Sequence, residues 1–408
     1  MPASPPETAL PFPAHAHAVV RSLRGAFAEL LAAVGADPRD HQSISGRLGL
    51  NKNLAWKISK IVQADDPPVA FEQMPGAAGI RIFLRSVEKA GVDGGLLKSA
   101  REAVQGFERL IEVHSGDRAT LEMMGSGLSA AGRPQRDEYH RKLLFQGASY
   151  VWGAQTRVNL KVGVVGPGAG RGLLDFVSLN GLIDFRRLRP DVSWVLARRH
   201  SNNDDGTEMA TSASEPIDLA FNRRDQAPLM AEFCSKPLPE FRRVEAPGTT
   251  AFELVEGPVG NTGALTCVFG AIQRGIPYFR TPENEWGEHS ARCDIPSELL
   301  ILDLFFHESL TFAMRPEALL YSELTAFMPQ AGRENERHRL PLNETLQELG
   351  AGPLPLATPE VPRYNRMVGA AFDRTGWDPA DFRGFRMKIA YPAAPTALVL
   401  RYRLPEAP

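Results

Sequence analysis

The 408 residues carry 46 Lys and Arg against 48 Asp and Glu, a formal net charge of −2 that excludes nucleic-acid binding by a uniformly basic surface. With 43% hydrophobic and 23% charged residues, the chain is neither fibrous nor disordered throughout. Its length predicts two or three domains, each with room for a core.

Residues 1–16 read as a proline-rich disordered tail, without the basic and apolar regions of a signal peptide. From residue 17 to 127 apolar residues recur at helical spacing, so this part is expected to be all-α. The first helix is placed at 18–34, with Val19, Leu23, Phe27, Leu30 and Leu31 on one face and Gly35 and Pro38 beyond it. Short helices follow at 41–48 and 52–63; the Asp65-Asp-Pro-Pro68 run is read as the stop of the latter. Further helices are expected at 76–90, 94–113 and 117–124.

The Gly/Ser/Pro-rich stretch 125–134 marks a linker, placed at 128–136, and a larger α+β domain at 137–408. After a helix at 137–153, strands are expected at 158–165, 173–185, 193–198, 251–255, 264–272, 299–306, 385–390 and 398–402. Helices are expected at 316–327, 343–349 and 364–375, and a mobile polar loop at 200–215. The fold class is therefore α+β, an all-α N-terminal part before a β-rich one.

The segment His41-Gln-Ser-Ile-Ser-Gly-Arg-Leu-Gly-Leu-Asn-Lys-Asn-Leu-Ala-Trp-Lys-Ile-Ser-Lys60 carries the most information. Ser45 is small where two helices cross closely, and Gly49 suits a left-handed turn. Ile44, Leu48, Leu50, Ala55 and Ile58 occupy the apolar positions. On the second helix Leu54, Ala55, Ile58, Ile61 and Val62 share one side, while Lys52, Asn53, Trp56, Lys57 and Lys60 share the other. The segment holds Arg47, Lys52, Lys57 and Lys60 and no acid, a local basic footprint within a near-neutral chain.

This segment resembles the helix-turn-helix unit of bacterial transcription regulators. An excess of Arg over Lys, 37 to 9, agrees with a GC-rich bacterial source. The resemblance covers residues 17–64 and implies that residues 52–60 form a recognition helix in the major groove of double-stranded DNA. Arg47, Lys57 and Lys60 are then phosphate contacts. Asn51, Lys52, Asn53 and Trp56 supply discrimination, with Asn51 also able to cap the helix, and Lys52 or Lys57 able to read guanine or hold phosphate. Residues 137–408 are expected to sense a small-molecule effector or mediate assembly, as in regulators of this architecture. Two alternatives stay open: an enzyme with its chemistry in 137–408, and an interaction protein that uses the helix pair structurally.

Other patterns carry less. Leu97, Ala100, Val104, Phe107 and Ile111 give a two-heptad seam that suits either a homodimer helix or an internal core face. The glycines of 162–172 lack the helix a dinucleotide loop needs and read as a turn between strands. Glu283, Glu285, Glu288, His289 and Cys293 match no familiar metal pattern, and Asn203-Asp-Asp-Gly-Thr-Glu208 lacks the full calcium pattern. Asp303, His307, Glu308 and Ser309 read as structural, so no catalytic residue, cofactor or metal is expected. Cys234, Cys267 and Cys293 indicate no disulfide framework and suit a reducing cytoplasm. The apolar run 297–306 is too short to span a bilayer and contains Asp303, so no membrane partner is expected.

Overall fold

The structure, a computed structural model, describes residues 10–128, 133–200, 214–223, 226–246, 249–282, 284–324, 335–351 and 358–407. The fold is α+β. The chain divides into two compact units, Met1–Arg136 and Asp137–Pro408.

The first unit contains α1 (Phe12–Ala33), α2 (His41–Leu48), α3 (Lys52–Gln63), α4 (Pro67–Gln73), α5 (Ala77–Lys89), α6 (Gly94–His114) and α7 (Arg118–Ser126). Short polar side chains fix where several of them start: Asp40, Asn51, Asp93 and Asp117 accept N–H groups of the first turns of α2, α3, α6 and α7. The inward faces merge into one core, in which Phe27 meets Phe83 edge-on at 5.1 Å. That geometry adds about 0.5–1.5 kcal/mol beyond burial.

Three expectations for this region change. The tail expected at 1–16 is helical from Phe12 onward: Pro13 lies in the first turn of α1, where a missing N–H costs nothing, and Ala16 is fully buried. Residues 1–9 lie outside the described residues. Pro67 and Pro68 do not merely stop a helix; they open α4, for the same reason. The seam on α6 is divided: Leu97, Ala100 and Phe107 are buried in the core of their own unit, whereas Val104 and Ile111 are half-buried.

The linker expected at 128–136 is entered by α8 (Arg133–Trp152), with Pro134 in its first turn; residues 129–132 lie outside the described residues. The second unit then contains β1 (Ala154–Pro167), β2 (Leu173–Arg187), β3 (Trp194–His200), β4 (Glu215–Pro216), β5 (Phe241–Ala246), β6 (Thr249–Leu254) and β7 (Leu265–Pro277). It continues with β8 (Trp286–Cys293), β9 (Ser297–His307), β10 (Glu317–Ser322), β11 (Arg339–Leu340), β12 (Gln347–Ala351), α9 (Tyr364–Thr375), β13 (Phe382–Ala390) and β14 (Thr396–Arg403).

Among the described residues these strands form a seven-stranded sheet in the order β12-β13-β9-β1-β2-β7-β4, a four-stranded sheet β11-β10-β14-β8 and a three-stranded sheet β3-β6-β5. The β1–β9 pairing is parallel; the other pairings are antiparallel. The period of two along β9 sorts its side chains between two cores. Leu300, Leu302, Leu304 and Phe306 pack with Leu398 and Leu400 of the four-stranded sheet, whereas Ile301 and Phe305 pack with Met367, Val368 and Phe372 of α9.

Two expected helices are strands. Residues 317–322, inside the helix expected at 316–327, pair along β14, and β12 at 347–351, which overlaps the end of the helix expected at 343–349, pairs along β13. Sheet pairing overrides local propensity in both. Residues 325–327 and most of the loop expected at 200–215 lie outside the described residues. The glycine-rich 162–172 segment belongs to the β1–β2 hairpin, whose strands pair from Pro167↔Leu174.

Candidate nucleic-acid interface

The site is built on the α2–α3 pair. Gly49 ends α2 with φ +61°, and its N–H and that of Leu50 both point to the Ser45 carbonyl. A side chain at position 49 would meet nothing within 4 Å, so glycine is favoured there by backbone conformation alone. The Ser45 hydroxyl donates to the Leu50 carbonyl at 2.6 Å, satisfying a group that the turn leaves outside the helix ladders. Asn51 then accepts the Leu54 N–H through Oδ1 at 2.8 Å and starts α3.

The inner side of α3 anchors it. Leu54, Ala55, Ile58 and Ile61 are buried, Val62 packs against the same core, and the buried Ser59 hydroxyl donates to the Pro38 carbonyl at 2.8 Å. Gln63 donates to that hydroxyl at 2.7 Å, tying the end of α3 to the loop before α2. The outer side carries Lys52, Asn53, Trp56 and Lys60, all exposed, with Lys57 half-buried; Arg47 of α2 is exposed as well. Trp56 is 39% exposed, and the Lys60 ammonium lies 5.8 Å from its ring centroid.

The structure therefore places Lys52, Asn53, Trp56, Lys57 and Lys60 together on one face, with Asn51 at its start. None of Arg47, Lys52, Lys57 and Lys60 forms an ion pair among the described residues. Asn51 commits its carbonyl oxygen to the helix cap, which leaves its amide NH₂ as the outward group. Sequence reasoning missed the Ser59–Pro38 bond and the Asp40 cap: both depend on the path of the 35–40 loop, which no periodicity reports.

Among the described residues the remaining candidates stand apart from one another. Glu288 and His289 are neighbours on β8 and point to opposite sides, and Glu283 lies outside the described residues, as do residues 203–208. Among the described residues no three His, Cys, Asp or Glu side chains are placed to hold a metal ion. His289 faces inward, 3.0 Å from the Tyr402 hydroxyl and with its ring tilted against Phe176 at 4.8 Å, and burial pulls its imidazole down to about 4. Asp303 is fully buried in a bidentate pair with Arg386, at 2.8 and 2.7 Å, and also accepts from Tyr364. His307, by contrast, sits at the strand end with the Ser309 hydroxyl at 2.8 Å, so the 303–309 group is split between core and surface. Cys234, Cys267 and Cys293 are free and buried. No helix among the described residues is long and apolar enough to cross a membrane.

No known protein family matches the chain, and no curated protein matches it either. Among solved structures, a protein from Parabacteroides distasonis that carries a provisional protease designation aligns at 10% identity with a TM-score of 0.26. The alignment covers 61% of this chain and 40% of that one, so the chain spans less than half of that protein, and a likeness this slight carries no argument.

Proposed function

We propose that the chain is a sequence-specific DNA-binding transcriptional regulator in which α2 and α3 act as a helix-turn-helix pair. The observation that carries this reading is the split of α3: an inner face locked into the core and an outer face of exposed Lys52, Asn53, Trp56 and Lys60 without a single acid. A structural use of the pair would cover that face with residues of its own unit, and those side chains are exposed.

In this reading α3 lies in the major groove with its N-terminal turn at the base edges. Asn53 offers a carbonyl and an amide in the pattern adenine presents, and Lys52 reaches the acceptors of guanine. Trp56 abuts a thymine methyl or a sugar. Arg47, Lys57 and Lys60 hold phosphates, which set register and affinity rather than sequence. Asn51 shifts from base reading toward positioning, because its oxygen already caps the helix; its NH₂ donates to the backbone of the DNA. The second unit serves as the sensing or assembly part of the regulator.

The test is selection of genomic fragments by the purified full chain, followed by sequencing of what is retained. Enrichment of fragments that share a short motif supports the proposal. Uniform retention of all fragments, or retention of none at low salt, contradicts it.

A further inference from the structure

A cavity of about 480 Å³ opens in the first unit, lined by α5, α6, the Met74–Ala77 turn and Arg118 of α7. Its volume lies in the range of small-molecule sites. The seam on α6 explains its character. Leu97, Ala100 and Phe107 turn to the core, but Val104 and Ile111 are only half-buried and, with Leu84 of α5, form the apolar wall of the cavity. These side chains are apolar, adjacent and incompletely covered, a state that a ligand's apolar body relieves.

The polar end is cationic. Arg81, Arg101 and Arg118 line the cavity against one acid, Glu108. Arg101 is 3.5 Å from Glu88, and Arg118 donates through Nε to Glu122 and through Nη2 to the Phe71 carbonyl. Arg81 is exposed and makes no ion pair or hydrogen bond among the described residues. The first turn of α5, at Gly76 and Ala77, borders the same space and has no side-chain cap, so its N–H groups add to the positive end.

We infer that this cavity is a binding site for an amphipathic organic anion, a small carboxylate whose apolar body lies along Leu84, Val104 and Ile111 and whose charged head is held by Arg81. An uncharged or cationic molecule of the same shape gains the apolar contact and forfeits the guanidinium. The site stands independently of DNA binding, and its test contains no DNA.

The experiment is calorimetric titration of the full chain with octanoate, octan-1-ol and octylamine, on wild type, Arg81→Gln and Val104→Trp. Octanoate is expected to bind saturably at one site, and octan-1-ol and octylamine about tenfold or more weaker. Arg81→Gln, an exposed change that leaves the core intact, is expected to bring octanoate down to the level of octan-1-ol. Val104→Trp fills the cavity and should abolish all three. Absence of saturable octanoate binding, equal binding of octylamine, or octanoate binding untouched by Arg81→Gln overturns the inference. So does a stable dimer in sedimentation whose dissociation is needed before octanoate binds, since a second copy would then be the occupant.

Discussion

The Ser45 hydroxyl donates to the Leu50 carbonyl at 2.6 Å, bridging the last turn of α2 and the residue before the cap of α3. Side chain and backbone thus fix the angle at which α3 leaves the turn. Ser45→Ala is expected to cost about 1 kcal/mol, the usual worth of a hydrogen bond whose partner is left unsatisfied. Gly49→Ala should cost about 1–2 kcal/mol through backbone strain alone, because nothing crowds the position. Urea unfolding of the two variants measures both, and Gly49→Asn should recover part of the second loss.

Asn51 separates folding from binding. Asn51→Ala removes the cap on Leu54 and should lower stability by about 1 kcal/mol. Asn51→Asp keeps a capping oxygen and adds a carboxylate at a helix N-terminus, so stability should hold or rise. The same change places negative charge at the start of the proposed DNA face, and the affinity of the chain for DNA should fall. Thermal unfolding and a fluorescence-anisotropy titration on the same samples check the two arms.

The Asp303–Arg386 pair is a bidentate ion pair buried in the second unit. Both side chains are nearly inaccessible, at 0% and 5%, and Thr358 accepts a further bond from Arg386 at 2.7 Å. Asp303→Ala removes the carboxylate that neutralises a buried guanidinium and is expected to cost about 3–5 kcal/mol, whereas the double change Asp303→Leu/Arg386→Met should recover much of it. Denaturant melts of wild type, single and double variants check the ordering.

His289 should make stability fall in mild acid. Its ring is held between Phe176, Phe306 and Tyr402, and burial keeps it neutral down to about pH 4, while the unfolded chain protonates it near its ordinary value of about 6.5. Between these values the unfolded state binds the extra proton. The contribution is therefore complete above the upper one and lost as pH falls toward the lower, on the order of 3 kcal/mol in all. Replacing it by His289→Gln, which can still bond the Tyr402 hydroxyl, should flatten that part of the curve of unfolding free energy against pH.

Much of the helical half is legible because its signals are local. The faces of α3, the glycine at the end of α2 and the cap at Asn51 all follow from residues within one or two turns of each other. The corrections have non-local causes. Residues 317–322 become a strand because β14, some eighty residues later, offers a partner. The strand β8 leaves little trace in the sequence: of its inward positions Gly287, His289, Ala291 and Cys293 none is a large aliphatic residue, so the period of two is faint, and it is pairing along β14 that makes the segment a strand. The Pro67-Pro68 pair has two readings in sequence, stop or start, and the burial of Ala70 and Phe71 decides for the start. The cavity had a trace in sequence, since Val104 and Ile111 belong to the seam on α6. Which seam residues would be left half-covered depends on how α5 packs beside them.

The central claim is that the outer face of α3 reads DNA. The decisive measurement is a salt series of DNA affinity for wild type and for Lys52→Ala/Asn53→Ala/Lys57→Ala, on a retained fragment and on a scrambled one. Wild type should prefer the retained fragment and lose affinity steeply as salt rises. The variant should lose the preference, and its log–log salt slope should shrink by about 1 as the Lys57 phosphate contact disappears. Equal affinity and equal slopes for the two proteins would contradict the account.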